Sequence, residues 1–117
     1  MTESSKTQLT AAGVDVNSAL ERFMGNEDLL ERFLKKFPQD GNYQKFCAAM
    51  EAGDWETALT ASHTLKGACG NLSITPLFDL LTNQVAALRA DDWQSAKERM
   101  QQIAKAYTAV IDAIRQL

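Results

Sequence analysis

The apolar residues at the C-terminal end of the chain recur with a strict spacing. From Trp93 to Leu117 they are separated by 3, 4, 3, 4, 3, 4 and 3 residues. This heptad pattern predicts a long α-helix that packs nearly parallel or antiparallel to neighbouring helices. The helix would begin at Asp91 or Asp92 and run for roughly 35–40 Å. Its seam consists of Trp93, Ala96, Met100, Ile103, Tyr107, Val110, Ile114 and Leu117.

The rest of the chain also favours helices. No segment alternates apolar and polar residues, valine and isoleucine are sparse, and strong helix formers are abundant. Short connections around Gly25, Pro38 and Gly53 separate the apolar stripes, and short connections favour antiparallel neighbours. We therefore predict an all-α fold, an antiparallel up-down four-helix bundle with a short N-terminal helix. The helix after Asn26 is expected to bury Leu29, Leu30, Phe33, Leu34 and Phe37.

Length and composition fit one globular domain. The 117 residues are 45% hydrophobic and 23% charged. Residues 1–12 have no periodicity, so we predict a flexible lead-in there and a helical bundle domain over residues 13–117.

Charge, hydropathy and cysteine placement exclude several classes of partner and compartment. The net charge of −3 argues against nucleic acid as a partner. No apolar run reaches the ~18–20 residues of a membrane span, and residues 1–8 lack the apolar core of a signal peptide. Cys47 and Cys69 lie on predicted apolar faces without a CxxC spacing. They are typical of core residues in a reducing cytoplasm, although a disulfide between them stays open. We expect a cytoplasmic protein without membrane insertion.

The only histidine, His63, lies on the outer face of a predicted helix. At roughly 100° per residue, His63 points about 150° away from the apolar side of that helix, toward water. Two glycines nearby, Gly67 and Gly70, are unusual because each costs about 0.8–1 kcal/mol in a helix interior relative to alanine. They predict a bare surface on which another protein can dock. The apolar side consists of Ala58, Ala61, Leu65, Ala68, Cys69 and Leu72.

Four roles for His63 can be compared. A purely structural histidine explains neither its outward direction nor the glycines. A metal site needs three or four ligands, and because positions 66 and 67 are Lys and Gly, no metal is expected. A general base needs an orienting carboxylate and a nucleophile or bound water, and no acid stands three or four residues further on. A nucleophile that carries a group between proteins must be exposed, unobstructed and largely neutral, which suits an exposed histidine. If that group is phosphoryl, Lys66 lies one turn away to offset its charge.

The sequence H-T-L-K-G at residues 63–67, followed by Asn71 and Leu72, resembles the H-x-L-K-G motif of histidine-containing phosphotransfer (HPt) domains of bacterial two-component phosphorelays. The resemblance extends over most of the chain. In one departure, Ser73 stands where the family usually has a glycine, and we expect Ser73 to cap the next helix instead. In another, the adjacent helix carries Val85 where many members place a polar side chain close to the phosphohistidine. Its neighbour Gln84 either orients the imidazole or is a tolerated residue at the edge of the leucine stripe.

The resemblance implies a phosphocarrier in a multistep His–Asp phosphorelay. His63 would accept a phosphoryl group from a receiver-domain aspartate and pass it to another receiver. Lys66 would offset the phosphate charge, and Gly67, Gly70 and Leu59 would form the receiver-docking surface. Apolar residues of the short N-terminal helix would add to that surface, namely Val16, Ala19 and Leu20.

The resemblance also has implications for active sites, cofactors and partners. It implies no kinase or phosphatase active site, and no cofactor, with Mg²⁺ expected on the receiver. The implied partners are response-regulator receiver domains and a hybrid sensor histidine kinase, and we expect a monomer. The alternative function is a helical adaptor that binds a partner without phosphotransfer, but an adaptor has no need for His63 and Lys66 together.

Overall fold

Four helices that pack in chain order form the body of the molecule. The computed structural model describes all of residues 1–117, and its shape measures 42 × 22 × 20 Å. The helices are α1 (Glu3–Ala11), α2 (Val16–Arg22), α3 (Glu27–Lys36), a 3₁₀ helix (Phe37–Gln39), α4 (Asn42–Ala52), α5 (Trp55–Asn71), α6 (Thr75–Arg89) and α7 (Trp93–Arg115). Helix α5 lies between α4 and α6, and α7 packs against α6. The predicted all-α helical bundle is confirmed.

The turns between these helices follow from local chemistry. Gly53 ends α4 in the left-handed conformation with φ +72°, which costs glycine little. Asp54 then caps α5 by accepting a hydrogen bond from the Thr57 backbone N–H. Asp92 caps α7 in the same way through the Ser95 N–H. Because each connection is so short, consecutive helices must reverse direction.

The heptad seam of α7 faces the core, as its spacing predicts. Every seam residue is buried or half-buried. Tyr107 stacks on Tyr43 of α4 with ring centroids 3.6 Å apart. The expectation for α3 is wrong at one position, because Phe33 is 43% exposed while Leu30 and Leu34 are fully buried. Phe33 lies to one side of the buried face that Leu30, Leu34 and Phe37 form.

The N-terminal residues form a helix, in contrast to the flexible lead-in predicted for residues 1–12. Thr2 caps α1 through the Ser5 N–H. Leu9 is fully buried against the bundle, and the Lys6 ammonium lies 3.2 Å from a Glu27 carboxylate oxygen of α3. A polar helix fixed by a single buried leucine produces no apolar period, which is why the sequence pattern does not reveal it.

The segment after α1 is joined to the turn that follows α5. The Asp15 N–H donates to the Ser73 carbonyl at 2.8 Å, and Val14 forms an isolated antiparallel bridge with Ile74. Ser73 has φ +54°, the left-handed conformation in which glycine is favoured. Its hydroxyl lies 3.0 Å from that of Ser18 in α2. The expectation that Ser73 caps α6 is therefore wrong, because Ile74 is the residue at the N-cap position.

Candidate functional site

His63 lies near the middle of α5 on the face that points away from the bundle. Its neighbours Ser62 and Leu65 are buried, whereas His63 is exposed. The hydroxyls of Thr60 and Thr64 donate to carbonyls of their own helix, at Glu56 and Thr60 respectively. Neither threonine hydroxyl is therefore directed at the imidazole, and the ring faces solvent.

Lys66 is the cation closest to His63 along α5, one turn further on. Its ammonium lies over the ring of Phe78 in α6, 5.8 Å from the ring centroid. The ion pairs of the molecule join Lys6 and Lys35 to glutamates, and none involves Lys66. Lys66 therefore lies one turn from His63 with a positive charge that no carboxylate of the protein neutralises.

The two glycines near His63 have different surroundings. A Cβ atom added to Gly67 would meet nothing within 4 Å, so the helix surface there is open. A Cβ added to Gly70 would lie 3.2 Å from a ring carbon of Phe78. The predicted bare surface is present at Gly67 and absent at Gly70, because the Phe78 ring occupies the space above Gly70.

The apolar residues expected beside the site are mostly inside the protein. Leu59 is half-buried one turn before His63. Val16 is 6% exposed and Ala19 is fully buried, so the expectation that they supply docking surface is wrong. They are buried because α2 packs its small apolar face onto the bundle.

An open groove of about 560 Å³ lies next to the C-terminal half of α5. Phe23 and Phe33 pack against each other in it with centroids 5.3 Å apart. Because Phe33 was expected in the core, this groove was not predicted, and the position of Phe33 between Leu29 and Leu34 on the predicted stripe gave no signal for it. The lining residues are Arg22, Phe23, Phe33, Lys36, Phe37, Asp40, Ala68, Asn71 and Leu72.

Gln84 lies in the protein interior between α6 and α7. It is fully buried, and its amide nitrogen donates to the Ala96 carbonyl at 2.9 Å and lies 3.4 Å from the Met100 sulfur. Its amide oxygen is buried without a hydrogen-bond partner. The amide nitrogen is therefore held by α7, and the suggestion that Gln84 orients His63 is wrong. Val85 is also buried.

Two structural features bear on metals and membranes. No three His, Cys, Asp or Glu side chains lie together in a way that could hold a metal ion. None of the helices combines the length and the apolar character needed to cross a bilayer.

Comparison with known proteins gives a match to a family model. Residues 28–116 match the family model described as Hpt domain. The matched region begins in α3 and contains all of α4 to α6 and all of α7. No curated protein and no solved structure matches the chain.

Proposed function

Because the chain belongs to the Hpt domain family, we propose that it carries phosphoryl groups between receiver domains on His63. The observation that supports this most directly is the combination found on one exposed face of α5. That face presents the imidazole, the unneutralised Lys66 ammonium and the open surface at Gly67. An adaptor without phosphotransfer would have no need for the imidazole and the ammonium together.

The proposed reaction needs only one nucleophilic atom from this chain. Nε2 of the neutral His63 ring attacks the phosphorus of an aspartyl phosphate on the receiver, while Nδ1 keeps its proton. A P–N bond forms as the P–O bond to the aspartate breaks, and the aspartate leaves as a carboxylate. In the second transfer the carboxylate of another receiver attacks the phosphorus, and His63 leaves as the neutral ring. No nucleotide is consumed in either step.

Lys66 and Gly67 serve this reaction in different ways. The phosphoryl group brings negative charge to a surface position, and a cation one turn away along the helix favours that charge. Gly67 lets the receiver approach the α5 backbone closely enough for in-line attack. The Mg²⁺ and the groups that neutralise the acyl phosphate would belong to the receiver.

The contact between carrier and receiver should be modest and short-lived. A carrier must leave the donor before it reaches the acceptor, and small interfaces with fast dissociation suit that requirement. We infer that the chain acts as a monomer, in the cytoplasm, with response-regulator receivers and a hybrid sensor kinase as partners. One exposed face of α5 then serves donor and acceptor in turn.

The test mixes the protein with a receiver domain phosphorylated on its aspartate with labelled phosphate. Label should pass to the chain in a form that is labile in acid and stable in alkali, and should be absent from His63→Gln. Circular dichroism of the variant confirms that the bundle is intact. Equal labelling of both proteins would place the phosphoryl group on another residue. No labelling of either, with binding retained, would favour the adaptor.

A further inference from the structure

We propose that Phe78 of α6 is a positioning residue that holds the Lys66 ammonium beside His63, and that Gly70 provides the space for its ring. This inference rests on the proposed phosphoryl transfer. It concerns a residue on a different helix from the motif, outside the part of the sequence that predicted the site.

The Phe78 ring contacts both Lys66 and Gly70 of α5. The Lys66 ammonium lies 5.8 Å from the Phe78 ring centroid, within the range in which a cation is attracted to an aromatic face. The same ring is close to the backbone of α5, because its carbon Cε2 would be only 3.2 Å from a Cβ at Gly70. The ring therefore fits closely against α5 because Gly70 has no side chain, and it contacts the lysine from that position.

An aromatic ring suits this task better than a carboxylate. A glutamate at the same place would fix the lysine more strongly but would cancel the charge that the phosphoryl group needs. A ring restricts the lysine while leaving its full positive charge and its N–H donors free for another anion. A long lysine side chain otherwise loses much rotamer freedom each time it binds an anion, so a lysine already restrained is the better partner. Asp79, the nearest carboxylate along α6, forms no ion pair.

A double-mutant cycle tests whether Phe78 acts through Lys66. Lys66→Ala should slow transfer from the phosphorylated receiver about tenfold or more. Phe78→Leu, which keeps an apolar side chain but removes the π face, should slow transfer about two- to fivefold. In the Lys66→Ala background, Phe78→Leu should have no further effect. If Phe78→Leu slows transfer equally in both backgrounds, the ring acts through helix packing and the proposal is overturned.

Two further variants sharpen the result. Phe78→Tyr keeps the aromatic face and should restore the wild-type rate. Lys97→Ala is the matched control, because the Lys97 ammonium lies 5.7 Å from the Trp55 ring centroid at the start of α5, and its loss should leave transfer unchanged. A failure of Phe78→Tyr to restore the rate would contradict the proposal.

A measurement on the unphosphorylated protein separates this inference from the proposed function. The side-chain methylene protons of Lys66 should show an upfield ring-current shift by NMR that disappears in Phe78→Leu and persists in Phe78→Tyr. Absence of the shift in the wild type would overturn the positioning role even if transfer occurs. A shift present in a protein that accepts no phosphoryl group would overturn the proposed function and, with it, the role assigned to this contact.

Discussion

No contact inside the protein requires the absence of a side chain at Gly67. Gly67 lies in the interior of α5, where glycine destabilises a helix by about 1 kcal/mol relative to alanine, and Gly70 is the next-to-last residue of the same helix. At Gly70 the Phe78 ring fills the space that a side chain would occupy, so packing explains that glycine. At Gly67 nothing lies within 4 Å of the absent Cβ. An external partner that must approach the helix accounts for a glycine at this exposed position.

Gly67→Glu should therefore slow phosphoryl transfer without lowering the free energy of unfolding. Glutamate has the better helix propensity, so the free energy of unfolding should stay equal or rise by about 0.5 kcal/mol. The added carboxylate occupies the open surface one turn from His63 and repels a phosphoryl anion, so transfer should slow at least about tenfold. Urea unfolding followed by circular dichroism and the labelled-receiver assay measure the two quantities.

The matched control is Ala109→Glu, which adds the same side chain at an exposed position of α7. Helix α7 packs on α6, α1 and α3, across the bundle from the exposed face of α5. This variant should transfer at the wild-type rate. A normal rate in Gly67→Glu would show that the open surface is not where the receiver docks.

At the scale of the helices, sequence periodicity revealed those elements whose apolar stripes are continuous. The α7 seam and the outward direction of His63 on α5 follow from spacing alone, and the structure has both. Periodicity cannot reveal α1, which is held by Leu9 and an ion pair to another helix. It also could not place Phe33 or the Gly70–Phe78 contact, because these depend on which neighbour lies across the helix edge. Such contacts are determined by how the helices pack, and they produce no periodic pattern in the sequence.

Sequence periodicity also could not place Gln84, which lies between α6 and α7. From the sequence, this polar residue in a leucine stripe either orients the imidazole or is a tolerated residue at the edge of the stripe. In the structure its amide nitrogen bonds to the Ala96 carbonyl across the helix interface, and its oxygen has no partner. A buried unsatisfied oxygen costs about 1–3 kcal/mol, which offsets the gain from the hydrogen bonds of the amide nitrogen.

Gln84→Met should leave the bundle as stable as the wild type, or more stable by up to about 2 kcal/mol. Methionine has a similar shape, removes the unpartnered oxygen and can pack beside Met100. Phosphoryl transfer should be unchanged, since Gln84 is held by α7. Urea midpoints and the labelled-receiver assay measure both. Slower phosphoryl transfer at unchanged stability would show that Gln84 acts at the site around His63.

At the scale of the whole molecule, the buried core sets a limit on the alkaline stability of the protein. Cys69 is fully buried, and burial, together with the negative charge of Asp40, raises the pKa of its thiol to about 12. Burial also raises the pKa of Tyr43, which stacks on Tyr107. These groups therefore keep their protons in the folded protein at pH values at which the unfolded chain already loses them.

Stability should consequently fall as the pH rises above about 9. Below the ordinary thiol value of 9.0 both states hold the Cys69 proton, so the thiol contributes no pH dependence. Above it the unfolded chain ionises first, and the free energy of unfolding decreases by up to about 1.4 kcal/mol per pH unit for each such group. Between pH 8 and 10.5 Cys69 alone should lower the free energy of unfolding by ~1–2 kcal/mol, measured by urea unfolding under reducing conditions.

The control is Cys69→Ala, which is less stable at pH 7 because it leaves a small cavity. Its free energy of unfolding should decline less steeply over this pH range. A decline as steep as that of the wild type would mean that other groups, Tyr43 among them, set the alkaline limit.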